Sequence, residues 1–566
     1  MARALKNKWI VSSKPKSVNA DLAEQVLINR GLSKTEIEHF LHPDYSNDLA
    51  NPLLLPDMKK AIDRIIVAIN KNHKIVIYGD YDIDGITASA LLHDFLLQAG
   101  AKKVEVYIPD RFEEGYGLNS DAITSLYKAG SDLVISVDCG VTAVEQASLA
   151  KKLGLDLIIT DHHEPPEILP TGMVALVNPK LKGCKYPFTE LAGVGVAFAV
   201  VRAIMQSNPE ILKIGQEKWL LDLVALGTVC DVVPLVGENR ILASYGLKVL
   251  KKTKRPGLKA LSKVSGVEID EVDESDLGFR FGPRLNAAGR LEHAKTALNL
   301  LLSDSDKHAE EMAQKLNELN IERQAQTQDI FSSADAMAKN HLQDLVLVMA
   351  SPEWSHGVVG IVASRIAEKW HKPTILLQIL DEDCKGSARS FGGFSIIEGL
   401  RSCDDVLSQY GGHDFAAGMK LRADNIDLFR HTLNQYALKH IDIESMMQTV
   451  KVDVQLDDEQ LELERISDLQ ELQPYGSENS QPVFSSTVEL YEYRKIGQHL
   501  NHVKFRFKTA SQKFVDGIAF SSAHKWADIE VGQVYEVAYH LQANVWQDTT
   551  RLQLEVIDLR LPLKNK

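Results

Sequence analysis

The residues best placed to do chemistry in this chain are six aspartates and two adjacent histidines. GDYDIDG places Asp80, Asp82 and Asp84 directly after the apolar run KIVIY, and Asp138 follows LVISV. Asp161, His162 and His163 follow LIIT, and Asp231 comes just after the apolar LLDLVALGTV. In an open parallel sheet, ligands bind beyond the carboxyl ends of the strands, so these groups are expected to converge. Two carboxylates about 4 Å apart repel by about 4 kcal/mol at an effective dielectric near 20. Five or six in one crevice cannot all stay ionised unless cations neutralise them. Carboxylates with one or two imidazoles and no thiolate make a hard, oxygen-rich donor set suited to Mn²⁺ or Mg²⁺. There are donors enough for two ions. A bridging carboxylate holds such a pair about 3.5–4 Å apart, where it can generate a hydroxide for in-line attack on phosphorus. A receiver-type acidic pocket also gathers carboxylates at strand ends, but it does not explain the paired histidines.

Bringing these groups together requires a parallel sheet. The β-rich runs KIVIY (74–78), VEVYI (104–108), LVISV (133–137), LIIT (157–160) and VALVN (174–178) alternate with helical stretches ending on Gly100, Gly130 and Gly154. Glycine there reads as a helix C-cap, and the repetition reads as βαβ units. Residues 1–70 read as a helical lead, and 71–303 as a catalytic α/β domain with a helical extension. Residues 304–342 read as one connecting helix with Ala309, Met312, Leu316 and Leu319 on its apolar stripe. A smaller α/β domain is expected over 343–445. Five β-rich stretches in 482–566 suggest a small barrel or sandwich within a C-terminal domain of 446–566. The expected fold class is therefore α/β, with a C-terminal β-barrel.

Composition narrows the class. Apolar residues are 45% and charged residues 25% of the chain, the mixture of a protein with real cores. The formal net charge of −14 does not mark a nucleic-acid binder. That charge is uneven: residues 482–566 carry eleven Lys and Arg against nine Asp and Glu. No apolar run reaches the 18 or so residues of a membrane span. The N-terminal MARALKNKWIVSSK lacks the apolar core of a secretory signal. Cys139, Cys184, Cys230, Cys384 and Cys403 form no C-x-x-C pair, which predicts a reducing, cytoplasmic setting without disulfides or a zinc finger.

GDYDIDG, SVDCG, TDHHEPP and TVCDVVPL together resemble the DHH phosphoesterase superfamily. RFEEGYGL (111–118), ELAGVGVAF (190–198), FGPRLNAAGRL (281–291), SHGVVGIVASR (355–365), KGSARS (385–390), GGHDFAAG (411–418) and PYGSENSQPVF (474–484) narrow the resemblance to its RecJ family. That family comprises single-strand-specific 5′-to-3′ exonucleases. The resemblance implies parallel-sheet DHH and smaller DHHA1 domains joined by a long helix, followed by an OB-like module. It also implies that Asp82, Asp84, Asp138, His162 and Asp231 hold two Mn²⁺ or Mg²⁺ ions, with Asp138 bridging. Asp80 lies beside them as a direct or water-mediated ligand. His163 is implied to contact the scissile phosphate or assist proton transfer. Tyr78 stands where some superfamily members supply a ligand histidine, so Asp80 is expected to substitute for it or one ion to be held more loosely.

Phosphodiesters also need cations. Arg111 follows a strand end, and Arg280, Arg284 and Arg290 flank Asn286 in what reads as the Gly-rich turn FGPRLNAAGR. Arg forks match phosphate geometry. By the resemblance, Arg111, Ser387 and Arg389 cradle the 5′-terminal phosphate, Gly386 permits close backbone approach, and His413 lies on the nucleic-acid side. Seven Lys and Arg between Ile241 and Val267, with no acid, read as a strand guide or a solvated helix face. In the C-terminal module Tyr491, Tyr493, Phe505, Phe507 and Trp546 interleave with Arg494, Lys495, Lys504, Arg506 and Lys508. That pattern suits either single-strand stacking or a barrel core. The expected activity is two-metal 5′-to-3′ degradation of single-stranded DNA to 5′-mononucleotides in recombination and repair. A monomer is expected, with a single-strand-binding protein and a helicase as partners and no membrane contact. The alternatives are a DHH phosphoesterase acting on short oligonucleotides or cyclic dinucleotides, and a non-enzymatic scaffold of the same superfamily.

Overall fold

The computed structural model describes residues 7–12, 21–111, 113–442, 446–447, 449–526, 528–547 and 549–562. Phe112 of the RFEEGYGL motif and the side chain of Trp546 lie outside the described residues. The chain folds as two compact units. One, the parallel-sheet unit, is Glu38–Arg323 with Leu472–Ser480; the other, the barrel unit, is Met1–Ile37, Gln324–Glu471 and Gln481–Lys566.

The five apolar runs of the first unit become five parallel strands, in the spatial order Val104–Tyr107, Ile75–Gly79, Leu133–Val137, Asp156–Thr160, Ala175–Val177. Every residue of Ile75–Gly79 and Leu133–Val137 is buried. Continuous burial is what a sheet covered on both faces demands. The two-residue period divides each strand between two cores. Ile75, Ile77, Leu133 and Ile135 join one with the Ile83–Gln98 and Gly193–Ser207 helices. Val76, Tyr78, Val134 and Ile159 join the other with the Ser120–Lys128 and Val144–Leu153 helices. The first strand in sequence lies between the second and third, so strand order reverses between Ile75–Gly79 and Leu133–Val137. A crevice opens at that switch point. Asp80 and Asp138 follow directly on those two strands.

Two local readings change, while the helical extension is found as expected: LLDLVALGTV lies in the helix Leu221–Cys230 and the residue before it, so a helix terminus delivers Asp231. All the apolar residues of that run but Val229 are buried, and continuous apolarity does not separate a buried helix from a buried strand. FGPRLNAAGR is no turn: Leu277–Phe281 is π-helical and Gly282–Leu291 α-helical. Gly282 serves packing, since a Cβ there would meet Cys230 Sγ at 2.8 Å. The lead is helical at Leu22–Asn29, Lys34–Leu41 and Met58–Asn70, but Lys8–Val11 is a strand paired in parallel with Thr449–Val452.

The polar stretch after residue 304 forms a single 33-residue helix, Asp306–Ala338. Ala309, Ala313, Leu316 and Leu319 are buried in the first unit's core, and Ile330, Ala334 and Ala338 in a core of the second. In the barrel unit, a five-stranded sheet runs Leu407–Gly412, Ala416–Arg422, Asp383–Arg389, Thr374–Leu380, Leu347–Ser351. The C-terminal strands Phe484–Ile496, His502–Lys508, Phe514–Ala519, Thr549–Arg560 and Val534–Trp546 close into a barrel through the pairing of the first with the last. Phe505 and Phe507 fill its core, stacked 5.4 Å apart. No helix among the described residues is long and apolar enough to cross a membrane.

Candidate active site

The loop after Ile75–Gly79 turns at once into the helix Ile83–Gln98. Asp82 caps that helix, one carboxylate oxygen accepting from Gly85 N at 3.1 Å. Asp84 sits in the first turn and is fully buried. Its oxygens accept from Gly193 N (2.5 Å) and Val194 N (2.8 Å) at the start of the helix Gly193–Ser207. Two otherwise unpaired N–H groups and the positive end of a helix dipole thus hold an anion where water cannot. Asp138 follows its strand in the left-handed backbone region, φ 61°, an uncommon conformation for a non-glycine residue that turns its carboxylate into the crevice. A Cβ on Gly193 would lie 2.6 Å from both Asp138 Cβ and Oδ1, so glycine is required there for close approach. Val232, immediately after Asp231, also has a left-handed φ of 63°.

The Asp-His-His triplet divides its labour. Asp161 Oδ2 accepts from Val141 N at 2.8 Å; Oδ1 accepts from His162 N and His163 N and meets His163 Nδ1 at 2.8 Å. Its lone pairs are committed to the turn, so Asp161 positions the histidines rather than facing the crevice. His162 Nε2 lies 3.2 Å from Asp138 Oδ1, 3.7 Å from Asp231 Oδ2 and 3.8 Å from Asp84 Oδ2. His163 is half-exposed, with the Tyr116 hydroxyl 3.2 Å from its Nδ1. Tyr78 is buried on the other side of the strand and donates to Gly117 O at 3.0 Å, away from the acids.

Donor atoms of Asp80, Asp82 and Asp138 lie within 4.8 Å of one another, as do those of Asp84, His162 and Asp231. Asp138, His162 and His163 make a third such group, through which the first two connect. Asp80 Oδ1, Asp138 Oδ1 and His162 Nε2 are buried with no hydrogen-bond partner. A buried polar atom left unpaired costs about 1–3 kcal/mol. Three converging here, all of oxygen or imidazole type, fit a pair of hard divalent cations. Among themselves these acids are mutually destabilising. Burial, then the charges of Asp84, Asp82, Asp80 and Asp231, push Asp138 well above the carboxylate range; burial and Asp82 do the same to Asp80. Burial followed by Asp82 raises Asp84 to about 7, and burial followed by Asp84 and Asp82 raises Asp231 to about 9. Burial and His163 lower His162 to about 3, so its ring is neutral at neutral pH and its contact with Asp138 is no ion pair. Burial works to lower His163 too, but the Asp161 hydrogen bond and charge outweigh it and the pKa is raised.

The candidate phosphate-binding residues fall into two sets. In the parallel-sheet unit, the Arg111 guanidinium lies 5.2 Å over the Tyr81 ring, and its charge acts on Asp80. Arg290 also acts on Tyr81; it and Asn286 lie on the helix Gly282–Leu291, half-buried. Arg280 pairs with Asp276 at 3.2 Å, and Arg284 donates to Asn317 Oδ1 (3.0 Å) and Arg280 O (2.8 Å). These two guanidiniums tie helices together. In the barrel unit, Arg389 Nη1 donates to Ser387 Oγ at 2.9 Å, both projecting from one face of a strand beside Gly360. Gly386 faces the opposite way: a Cβ there would meet Leu377 Cδ2 at 2.3 Å, so it serves the core rather than ligand approach. His413 is exposed in the turn before Ala416–Arg422, making GGHDFAAG a hairpin turn. The basic 248–263 stretch is largely engaged within its unit. Arg255 pairs with Asp222 and Asp94, Lys263 with Glu310, and Lys248 and Lys254 lie over Tyr245 and Trp219. On the barrel, Arg506 stacks 4.6 Å over exposed Phe514 beside a cavity of about 580 Å³ that Arg494, Lys504 and Arg551 also line.

Residues 74–228 match the DHH family, N-terminal domain; 343–439 match the DHHA1 domain; 452–558 match the RecJ OB domain. Over 543 residues the chain is 41% identical to the single-stranded-DNA-specific exonuclease RecJ of Bacillus subtilis (strain 168), covering 95% of this chain and 67% of that protein. It is 34% identical to the Escherichia coli (strain K12) protein of the same name, covering 90% and 91%. The chain belongs to the RecJ family. The fold agrees: the crystal structure of RecJ from Thermus thermophilus in complex with Mn²⁺ superposes with a TM-score of 0.82 at 30% identity, over 99% of this chain and 80% of that one. The same protein in complex with Mg²⁺ gives 0.77 at 28% identity, over 99% and 79%.

Reading this RecJ-family sequence by motif passed over Tyr116 and the Gly193–Val194 amides. Tyr116 stands between Gly115 and Gly117, both in the left-handed region (φ 81° and 82°), a local sign that EGYGL is a shaped loop. The Gly193 amide carries no sequence mark of its own, because its partner Asp84 is 109 residues away.

Proposed function

We propose that this RecJ-family protein is a divalent-metal-dependent 5′-to-3′ exonuclease that degrades single-stranded DNA to 5′-mononucleotides. The observation that carries the reading is the pair of three-donor clusters joined at the unpartnered Asp138 Oδ1 and His162 Nε2. Asp80, Asp82 and Asp138 would hold one cation, and Asp84, His162 and Asp231 the other. Bound there, Mn²⁺ or Mg²⁺ would lower the pKa of a water and offset the charge gathering on the phosphoryl oxygens.

The chain's own groups do the rest. Asp84, fixed by two amides, and Asp138, set by its backbone, arrive preorganised and need no rearrangement at the moment of reaction. Asp161 and Tyr116 orient His163, which donates toward the scissile phosphate. Arg111, Asn286 and Arg290 bind the strand in the parallel-sheet unit, and Arg280 and Arg284 position the helix that carries Asn286 and Arg290. Ser387 and Arg389 bind the 5′-terminal phosphate, with His413 on the same nucleic-acid-binding side. By family, the protein works as a monomer in recombination and repair, beside a single-strand-binding protein and a helicase.

The test is incubation of the protein with end-labelled single- and double-stranded DNA in Mn²⁺, Mg²⁺ or chelator, followed by product sizing. Mononucleotides released from the 5′ end of the single strand, and none in chelator, are expected. Cleavage in chelator, or internal cuts, would defeat the reading.

A further inference from the structure

Asp231 ends the helix Leu221–Cys230, and Val232 follows in the left-handed region, φ 63°, a genuine outlier for a β-branched residue. Such a conformation persists only where its surroundings over-determine it. Two contacts fix the chain between Val232 and the next helix, Gly237–Leu250. Pro234 O accepts at 3.0 Å from the side chain of Asn239, fully buried in the first turn of that helix. The same Nδ2 donates to Glu190 O, just before the Gly193 amide that holds Asp84. Leu235 N donates at 2.8 Å to Ser477 O, far along the chain. Ser477 belongs to PYGSENSQPVF, a motif with no part in the chemistry above.

Leu472–Ser480 packs within the parallel-sheet unit, although the chain on either side of it belongs to the barrel unit. Two side chains of the parallel-sheet unit anchor it. Arg240, buried with its guanidinium 3.8 Å over Phe40, donates from Nη1 to Leu472 O at 2.9 Å. Glu274 Oε1 accepts from Tyr475 N at 2.9 Å. The segment closes on itself through buried Asn479, whose Nδ2 donates to Leu472 O (2.8 Å) and Pro474 O (2.9 Å) and whose backbone bridges Gly476. Gly476 has no left-handed φ. A Cβ there would lie 2.6 Å from Leu235 Cδ1, so glycine serves close packing on buried Leu235.

We propose that Leu472–Ser480 is a strap that positions Asp231, with Gly476 and Asn479 as positioning residues of the cation site formed by Asp84, His162 and Asp231. The inference rests on the two-cation reading above. Asp84 is oriented by two amides, whereas the Asp231 carboxylate has no hydrogen-bond donor among the described residues. Its direction is therefore set by its backbone, and the strap is one of the two ties on that backbone. Asp80, Asp82 and Asp138 lie at strand ends and take no support from the strap. The support for one cation site thus comes from the stretch 446–566 that also carries the barrel.

Calorimetric titration of the full chain with Mn²⁺ compares Gly476→Val, Asn479→Ala and Leu235→Ala/Gly476→Val with the parent, which should bind two ions. In Gly476→Val and in Asn479→Ala one site should keep its affinity and the other weaken at least tenfold, the scale on which disturbed supporting contacts act. Leu235→Ala removes the side chain that the valine would strike, so the double variant should bind its second ion more tightly than Gly476→Val does. Should Gly476→Val not fold, Asn479→Ala carries the comparison. A segment that only stabilises the fold would lower the melting temperature in chelator and loosen both sites alike. That result overturns the proposal, as do two unchanged sites or a double variant without recovery. A parent that binds fewer than two Mn²⁺ ions defeats the two-cation reading instead.

Discussion

At the scale of single residues, Asp138 is the group shared by two of the donor clusters and the one proposed to join them. It faces four like-charged neighbours and makes no hydrogen bond through its Oδ1. Asp138→Ala therefore removes repulsion together with the proposed bridging donor. Cleavage should fall below detection while the melting temperature in chelator stays level or rises; appreciable Mn²⁺-dependent activity in this variant would refute the bridging role. Arg389 makes a different case. Its guanidinium donates through Nη1 to Ser387 Oγ and the Ala388 carbonyl, at 2.9 and 2.7 Å, which fixes the group proposed to take the terminal phosphate. Arg389→Ala should raise KM for 5′-phosphorylated ends more than for 5′-hydroxyl ends, measured on paired oligonucleotides. Equal losses would remove Arg389 from the pocket.

At the scale of elements, the helix Gly193–Ser207 meets the site with its first turn, its amides on Asp84 and Gly193 against Asp138. Alanine ordinarily stabilises a helix interior by about 1 kcal/mol relative to glycine. Gly193→Ala should do the reverse, since the new Cβ would sit 2.6 Å from Asp138. The predicted result is Mn²⁺ affinity weakened at least tenfold, the scale on which disturbed supporting contacts act. Titration calorimetry measures it, and unchanged affinity would show that the helix can withdraw at no cost. Gly227 repeats the design: a Cβ there would fall 2.3 Å from Thr87 Oγ1 and 3.0 Å from Asp84 Oδ1.

At the scale of the molecule, the buried acids couple stability to pH and to metal. Asp84 and Asp231 have folded-state pKa values of about 7 and about 9, above their ordinary value of 3.8. The native state then holds more protons than the unfolded chain, so this contribution is lost as pH rises through those values. His162, lowered to about 3 from 6.5, works in the opposite sense, but only below pH 6.5. Between pH 7 and 9 the acids dominate, and the melting temperature in chelator should fall. Saturating Mn²⁺ should remove that fall, because an ion that binds only the native state stabilises it by mass action. Scanning calorimetry at stepped pH, with chelator and with Mn²⁺, decides the point; a chelated protein that gains stability over this window would contradict the buried acidic cluster.

The periodic part of the protein was legible in the chain alone. Apolar runs of strand length with acids at their ends specify a parallel sheet and the edge of it that carries the chemistry, because side-chain alternation and crossover connections are local rules. Motif marked Asp82, Asp84 and His162 as candidates, and left Phe505 and Phe507 open between core and stacking, which burial resolves in favour of the core. Which donors meet was decided in three dimensions. Asp231 reaches the crevice from a helix end, and Asp161 turns inward to hold its own loop. Asp84 is held by amides more than a hundred residues away. FGPRLNAAGR is a helix whose Arg284 binds backbone and Asn317. These outcomes depend on contacts between residues distant in the chain, and no local pattern encodes a distance across a crevice.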